Sequence, residues 1–292
     1  MHIALRNEKA KKTTRRQVLK WGSAALFGGL FIEALLEPNR LEAVQRSVRI
    51  KDLPKEFEGF RIGVLSDIHW GHAIDHAFMD RASKMLMAMN PDLIVIPGDF
   101  YHSVHRHPGE VPPLDGLLNG LIAPKGLFGV LGNHDHRAGA SKVRQEIANN
   151  SKFQLIDNDH VIINVGSAAI ALGGVGDLWE DEVNLTQAFK AVDEEMPRIL
   201  LSHNPDVAEY IRQDDGTRVD FQISGHTHGG QIVLPGIYDP TQQVSSYGTK
   251  FSRGLVAGKR HPVFVSKGIA RLNHLRLFAL PDVACITLTR AT

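Results

Sequence analysis

One segment decides the fold of this chain: Val219-Asp220-Phe221-Gln222-Ile223-Ser224-Gly225-His226-Thr227-His228-Gly229-Gly230-Gln231. Apolar and polar side chains alternate over residues 219–224, which predicts a β-strand. His226 and His228 follow two residues apart, so on a strand both imidazoles would point to one face. The neighbouring glycines let the backbone turn sharply and approach a charged group closely. Because neutral imidazole is the commonest metal ligand, the segment indicates either a metal site or an exposed loop.

Four more predicted strands end in side chains that can bind a metal. Each is a short apolar run, of the kind that is covered on both faces of a sheet. They are followed by Asp67 and His69, by Asp99, by Asn133 and His134, and by His203. Ligands of open α/β sheets collect at the carboxyl ends of strands, so we expect these residues to meet although they span about 160 positions.

The donor types in this set favour two divalent metal ions. Oxygen donors mixed with imidazoles suit manganese, iron or zinc better than calcium, and magnesium stays an alternative. No thiolate is among them, which argues against a structural zinc site. The single cysteine, Cys285, lies in an apolar run and is expected to be buried. The seven expected ligands are Asp67, His69, Asp99, Asn133, His203, His226 and His228.

Five ordered motifs within about residues 60–231 resemble those of the calcineurin-like metallophosphoesterases. They are Asp67-x-His69, Gly98-Asp99, Gly132-Asn133-His134-Asp135, His203 and Gly225-His226-x-His228. Together with the N-terminal leader, residues 202–205 and 229–231 are similar to the exported bacterial branch typified by the YkuE and YaeI phosphodiesterases. The resemblance implies an α/β fold, a four-layer αββα sandwich of two mixed β-sheets flanked by helices. It also implies a metal-dependent phosphoric ester hydrolase.

The resemblance further implies a role for each residue of the site. The ligands would divide as Asp67, His69 and His228 on one metal, Asn133, His203 and His226 on the other, and Asp99 bridging the two. His134 would give a proton or a hydrogen bond to the leaving oxygen, and Asp135 would orient His134. Two such metals clamp the attacking and leaving oxygens, and a hydroxide that bridges them would attack phosphorus.

The first 45 residues differ from the rest in composition. Residues 1–20 hold seven of the 33 Lys and Arg residues but one of the 32 acidic residues, which leaves 26 basic and 31 acidic residues for the remainder. This acidic balance offers no basic face for nucleic acid. The segment Thr14-Arg15-Arg16-Gln17-Val18-Leu19-Lys20 resembles a twin-arginine export signal, and an apolar run follows over residues 21–36. The run suits a signal core or a retained membrane anchor; a basic amphipathic helix at a cytoplasmic terminus is the alternative.

We therefore expect residues 1–45 to be a signal or anchor with its linker, and residues 46–292 to form one metallophosphoesterase domain. Export by the twin-arginine route would place the enzyme in the periplasm or on the outer face of the membrane, with membrane association through residues 21–36. The cytoplasmic membrane surface is the alternative.

The expected substrate is a phosphodiester, with monoesters also open, in a cell-envelope compound or a phospholipid. One alternative is a UDP-2,3-diacylglucosamine pyrophosphatase of lipid A assembly. Another is a non-catalytic protein that binds metal or phosphate on the same fold. The oligomeric state is not predicted.

Secondary-structure predictions bear on the surroundings of the site. Apolar spacing predicts helices over residues 75–90 and 140–149, and a short one near residues 114–121. Residues 47–52 are expected to form the first strand. His102, His105 and His107 begin a long loop; we expect them at the surface, with an approach to the site as the alternative. Candidates for the pocket wall are His102, Trp70, Arg137, Trp179 and Tyr238.

Overall fold

The computed structural model describes residues 14–72, 74–103, 111–210, 217–271 and 274–291. Within these ranges the strands form two mixed sheets of six strands each. The helices are α1 (Arg15–Leu36), α2 (His76–Met87), α3 (Asn133–Asn150), α4 (Leu185–Ala188) and α5 (Val207–Tyr210). The strands are β1 (Glu42–Ile50), β2 (Arg61–Val64), β3 (Leu93–Ile96), β4 (Leu127–Gly129), β5 (Gln154–Leu155), β6 (Asp159–Val165), β7 (Ala168–Gly174), β8 (Arg198–Leu201), β9 (Phe221–Ser224), β10 (Gly254–Ala257), β11 (Pro262–Val265) and β12 (Asp282–Arg290).

Parallel strands occupy the middle of both sheets. The first sheet has the order β1-β12-β2-β3-β4-β5, in which β2 to β5 are parallel and β12 is antiparallel to β2. The second has the order β10-β11-β9-β8-β7-β6, in which β11, β9, β8 and β7 are parallel. The carboxyl ends of β2, β3 and β4 therefore meet at one edge of the first sheet, and those of β8 and β9 at one edge of the second.

Alternate residues of the central strands serve two different cores. Val95 of β3 packs in the same cluster as Ile223 of β9, so one face of each sheet meets the other sheet. The intervening Ile94 packs with Phe78 of α2. In the second sheet, Leu200 belongs to a cluster that includes residues of α4 and α5. Both sheets are thus covered by helices on their outer faces, which confirms the expected αββα sandwich.

Two predicted helices differ from those in the structure. The buried segment at residues 114–121 consists of turns instead of a helix, because its periodic leucines pack into the core from an irregular chain that includes Gly116 with φ 75°. Helix α3 begins at Asn133, earlier than expected, but its backbone is broken at Gly139, where φ is 116°. The part after the break matches the predicted helix at 140–149, and the part before it carries site residues.

The N-terminal helix α1 projects from the sandwich with its apolar side chains exposed. Thr14 caps it through a capping box with Gln17. Within it and the following turn, the 21 residues Leu19–Asn39 are long and apolar enough to cross a membrane, judged by length and composition. β1 pairs with β12 from Glu42 onward, so the first sheet takes in residues that the sequence analysis assigned to the linker.

Candidate metal centre

The polar residues that follow β2, β3, β4, β8 and β9 lie together, and most are buried. Six of the seven expected ligands are buried and His228 is half-buried. Burying so many ionisable groups is unfavourable unless they find charged or hydrogen-bonding partners. Here the donors face one another, so the structure brings the seven residues together as expected.

Five of these residues have φ angles in the left-handed region, which is uncommon for residues other than glycine. The angles are 51° at Asp67, 49° at His69, 55° at Asp99, 72° at His226 and 51° at His228. The strands before them have already ended. The side chains of these five residues therefore face the site because of left-handed turns, and not because of the two-residue alternation of a strand. Strained backbone of this kind concentrates at functional sites.

The first ligand group consists of Asp67, His69, Asp99 and His228, whose donor atoms all lie within 4.8 Å of one another. Nε2 of His69 is 3.2 Å from Nε2 of His228 and 3.3 Å from Oδ2 of Asp99. Nε2 of His228 is 3.6 Å from Oδ1 of Asp67. Carboxylate oxygens and imidazole nitrogens that converge in this way form a donor set for a divalent cation.

The second group consists of Asn133, His203 and His226. Oδ1 of Asn133 lies 3.0 Å from Nδ1 of His226 and 3.2 Å from Nε2 of His203. The two imidazole nitrogens are 3.2 Å apart. Nε2 of His203 also lies 3.3 Å from Oδ2 of Asp99. The same carboxylate oxygen therefore contacts a histidine from each group, and Asp99 stands between them.

Backbone carbonyls orient both histidines of the second group. Nδ1 of His203 lies 2.8 Å from the carbonyl oxygen of Pro97, and Nε2 of His226 lies 3.2 Å from that of Val244. A carbonyl only accepts, so these two nitrogens carry protons and the opposite nitrogens, which face the other donors, are the ones that a cation would use. Metal-binding histidines are commonly held by such a second hydrogen bond, so the residues present fit a metal.

Two glycines allow the backbone to come close to the ligands. A Cβ on Gly98, whose φ is 102°, would lie 2.4 Å from Nδ1 of His203. A Cβ on Gly132 would lie 2.3 Å from Oδ1 of Asp99. The sequence motifs Gly-Asp and Gly-Asn-His-Asp therefore need glycine because a side chain would overlap a ligand that follows another strand.

The protonation of the centre follows from burial and from mutual attraction. Burial raises the pKa of Asp99, but the charges of His203 and His69 outweigh it and hold the pKa well below its usual range. Burial lowers the pKa of His203, but the charge and hydrogen bond of Asp99 raise it to about 10. Burial, with the charge of His203, lowers the pKa of His226 to about 3. Burial also holds the pKa of His228 well below its usual range. His226 and His228 are thus neutral imidazoles, ready to bind a cation.

His134 lies beside this centre, with Ser103 as its partner. Its backbone N–H donates to Oδ1 of Asp99 at 2.9 Å. Its Nδ1 lies 2.9 Å from Oγ of Ser103 and accepts from the Ser103 N–H at 3.4 Å. Burial lowers the pKa of the His134 imidazole to about 4. A neutral ring that accepts at Nδ1 carries its proton on Nε2.

Asp135 contacts the backbone instead of the imidazole of His134. One oxygen accepts from the N–H of Tyr101 at 2.8 Å, and the other from Gly132 at 2.9 Å and Phe100 at 3.2 Å. Burial and the charge of Asp99 raise the pKa of Asp135 to about 8. The carboxyl thus holds the segment after Asp99 in place. Sequence reasoning missed Ser103, because a serine four residues after the Gly-Asp motif has no distinguishing pattern.

Further histidines extend the first ligand group. His102 lies with its Nδ1 3.0 Å from Nδ1 of His69, so it adjoins the site, in line with its place among the candidates for the pocket wall. Its ring stacks between those of His72 and His134, with centroids 4.3 Å and 5.0 Å away. His72 was not foreseen. The other two histidines of the loop, at positions 105 and 107, fall outside the described residues.

Of the other wall candidates, three adjoin the site and one serves the loop structure. Trp179 meets the ring of His226 edge to face at 4.4 Å, and the guanidinium of Arg137 lies 5.9 Å from the Trp179 ring. Tyr238 lines a cavity of about 350 Å³ together with His226 and His228. Trp70 donates its indole N–H to a backbone carbonyl of the neighbouring loop at 2.8 Å.

Comparisons with known proteins agree with this geometry. The family profile described as calcineurin-like phosphoesterase matches residues 60–230, more than half of the chain. The uncharacterized metallophosphoesterase YkuE of Bacillus subtilis is 29% identical over 95% of this chain and 98% of its own length. The UDP-2,3-diacylglucosamine pyrophosphatase LpxG of Chlamydia muridarum is 28% identical, and the match covers 86% of this chain and 90% of LpxG. The phosphodiesterase YaeI of Escherichia coli is 28% identical, with coverages of 78% and 82%. The chain therefore belongs to the calcineurin-like phosphoesterase family, and it is a metal-dependent hydrolase of phosphoric esters.

Proposed function

We propose that the chain hydrolyses phosphodiesters with two divalent cations, one on each side of Asp99. The observation that carries this proposal is the position of one Asp99 oxygen, which lies 3.3 Å from Nε2 of His69 and 3.3 Å from Nε2 of His203. These histidines belong to different ligand groups. A carboxylate between two complete donor sets can serve both, whereas a single cation would leave one set unused.

The two donor sets suggest how the ligands divide. One cation would be held by Asp67, His69 and His228, the other by Asn133, His203 and His226, and both by Asp99. When bound, divalent cations supply Lewis-acid chemistry, because they make water more acidic and neutralise charge that develops on phosphoryl oxygens. The mixture of donors suits manganese, iron or zinc, with magnesium as an alternative. Asn133 contributes a neutral oxygen, which leaves net positive charge for the phosphate.

His134 is the proposed partner of the leaving oxygen. Its Nδ1 is occupied by Ser103, so its Nε2–H is the group available to a bound ester. A hydrogen bond or proton from this nitrogen stabilises the alkoxide that leaves phosphorus. Asp135 acts indirectly, because it holds the backbone of Tyr101, two residues before Ser103.

The names of the relatives favour a substrate whose phosphorus carries two substituents. YaeI is named a phosphodiesterase and LpxG a UDP-2,3-diacylglucosamine pyrophosphatase. Both names describe a phosphorus that carries two organic or phosphoryl substituents, so we propose a phosphodiester as the main substrate and a monoester as a secondary one. A cell-envelope compound or phospholipid is the proposed natural source.

A second candidate function is the hydrolysis of a diacylated nucleotide-sugar pyrophosphate, as the name of LpxG describes. It is favoured by the similarity to LpxG over 86% of this chain. A screen of a phosphodiester, a phosphomonoester and a lipid pyrophosphate on the same protein preparation separates the candidates.

We propose export by the twin-arginine route, with α1 as the signal core that is retained as a membrane anchor. The support is the segment at residues 14–20, together with a helix long and apolar enough to cross a membrane. Replacing both Arg15 and Arg16 by lysine should leave the protein on the cytoplasmic side in a fractionation experiment. Unchanged export of that variant would exclude the route, and protease treatment of spheroplasts would show on which side of the cytoplasmic membrane the domain lies.

The function is tested with His203→Ala and bis-p-nitrophenyl phosphate as substrate. We expect the variant to lose turnover, because His203 contributes to the second donor set and pairs with Asp99. His160→Ala is the matched control, since His160 lies on β6, the edge strand of the second sheet, whereas His203 follows the central strand β8. Equal turnover of wild type and His203→Ala, at verified metal content, would exclude the proposal. Phosphate binding without hydrolysis of any ester would favour the non-catalytic alternative.

A further inference from the structure

A group of exposed apolar side chains lies beside the cavity of the metal centre. Ile237 is 84% exposed, Phe278 46% and Tyr238 42%. We call these three residues the apolar rim. Large apolar side chains at this exposure are unfavourable in water, and a group of them next to a site marks a surface that meets an apolar partner.

Hydrogen bonds donated by main-chain N–H groups join the strip that carries Phe278 of the apolar rim to the end of α1. The N–H of Phe278 donates to the Glu37 carboxylate at 3.0 Å, and the N–H of Arg276 donates to the carbonyl of Ala34 at 3.0 Å. The loop that carries Ile237 is bonded to the same strip, because the N–H of Val233 donates to the carbonyl of residue 277 at 2.9 Å. Glu37 is buried although it is acidic, so this junction is a packed part of the fold.

The location of this junction follows from the length of the apolar helix. The candidate membrane span covers Leu19–Asn39, so Ala34 and Glu37 lie in its last turns. The side chains of Phe27 and Phe31, further back along α1, are 68% and 62% exposed and would face lipid. If α1 crosses a bilayer, a residue hydrogen-bonded to its last turns must lie at the bilayer surface.

The same strip is tied to the metal centre through a buried arginine. The guanidinium of Arg276 donates to the carbonyls of Ala270 and Ala279 at 2.9 and 2.8 Å, and to the carbonyl of His228 at 3.4 Å. His228 and Tyr238 line one cavity of about 350 Å³. The end of the helix, the apolar rim and the mouth of the site are therefore parts of one rigid edge.

The positively charged side chain of Arg253 lies beside the apolar rim. Arg253 lines a surface depression with Ile237 and donates to the carbonyl of Phe278. Apolar groups that insert among acyl chains next to a cation that meets lipid phosphates form the usual combination of an interfacial contact. This charge pattern favours a phospholipid bilayer over a purely apolar protein surface.

We propose that the apolar rim docks on the bilayer in which α1 is anchored, so that the cavity of the metal centre opens at the level of the lipid headgroups. The substrate would then be a phosphodiester lipid that stays in the membrane while its headgroup enters the site. The docking stands on the geometry of the rim, whereas the identity of the substrate rests on the proposed function.

The docking is tested first by depth-dependent quenching. In the full-length protein, Cys285→Ala removes the native thiol and Ile237→Cys provides the attachment site for an environment-sensitive fluorophore. The labelled protein is placed in vesicles of phosphatidylcholine and phosphatidylglycerol, in which spin-labelled acyl chains quench a fluorophore that enters the bilayer. Ile122→Cys is the matched control, because Ile122 is 63% exposed but lies just before β4, at the amino ends of the strands and away from the site. We expect at least about twofold stronger quenching at position 237. Equal quenching at both positions, or disulfide cross-linking of two copies of the unlabelled Ile237→Cys protein, would overturn the proposal.

A second variant tests the consequence for substrate. Ile237→Asp should leave turnover of soluble bis-p-nitrophenyl phosphate unchanged but lower turnover of dioleoylglyceryl p-nitrophenyl phosphate in vesicles by about tenfold, since burial of one isoleucine is lost. Ile122→Asp should change neither rate. An equal effect of Ile237→Asp on both substrates would contradict docking. If wild type cleaves neither diester, the proposed function fails, and the quenching result still decides the docking.

Discussion

Replacing Asp99 by asparagine removes one negative charge with almost no change of shape. In the structure, one Asp99 oxygen lies 3.3 Å from a nitrogen of His69 and 3.3 Å from a nitrogen of His203. A unit charge at that distance interacts with the carboxylate by about 5 kcal/mol at an effective dielectric constant of about 20. If the amide oxygen and water recover half of this interaction energy, about 2.5 kcal/mol is lost, and binding of a second cation should weaken by roughly a hundredfold.

The assay for Asp99→Asn is a manganese titration of chelator-treated protein, followed by elemental analysis and turnover of bis-p-nitrophenyl phosphate. We expect stoichiometry to fall from two ions to one at limiting metal, with turnover reduced by at least the same roughly hundredfold factor. Asp80→Asn is the matched control, because the Asp80 side chain on α2 is 57% exposed and paired with Lys84. Two manganese ions bound to Asp99→Asn with unchanged affinity would refute the reasoning.

Three further predictions concern neighbouring groups. His134→Ala should keep both metals and lower kcat by about a hundredfold or more, as measured by elemental analysis with steady-state kinetics; loss of the metals would show that His134 is a ligand. In the metal-free protein, the pKa of His203 is about 10, above its ordinary value of 6.5. The proton that His203 holds therefore stabilises the fold below pH 6.5, and this stabilisation is lost as the pH rises through about 10. The proton must also leave before a cation binds. Calorimetry in buffers of different ionisation enthalpy should therefore detect proton release near pH 7 and an affinity that rises with pH; binding without proton release would contradict it. Gly98→Ala should destabilise the protein by at least about 3 kcal/mol in urea unfolding, because its Cβ would overlap His203, whereas Gly59→Ala, also at positive φ but with free space around it, should cost about 1 kcal/mol. Equal losses in the two glycine variants would show that backbone strain alone accounts for the effect.

The layers of the fold and the meeting of the ligands could be predicted because they depend on short-range patterns. Continuous apolar strands such as β3 indicate a sheet covered on both sides, and the residues after parallel strands share one edge. Asp67 and Asn133 are 66 positions apart in the sequence, yet this rule alone predicts that they share one edge of a sheet. Residue type then indicates the chemistry.

The remaining features depend on contacts that leave no trace in residue type. Pro97 and Val244 orient His203 and His226 through backbone carbonyls, which every residue possesses. Ser103 reaches His134 because a buried carboxyl, Asp135, holds the intervening backbone. Left-handed turns at the ligands could not be foreseen either, since Asp and His have no strong requirement for that conformation.

Periodicity can also be misleading where a segment is buried without being regular. The leucines at residues 114–121 recur at helical spacing, but the chain there forms turns and packs against the first sheet. The same limit applies to α1, because its apolar residues do not reveal the hydrogen bonds that join the end of the helix to the strip at residues 276–279.

The most direct test of the proposed binuclear centre is a crystal structure of manganese-loaded protein with anomalous scattering recorded at the manganese edge. We expect two anomalous peaks, one surrounded by Asp67, His69 and His228 and the other by Asn133, His203 and His226, with Asp99 contacting both. A single peak, or an Asp99 carboxylate that contacts neither ion, would contradict the account.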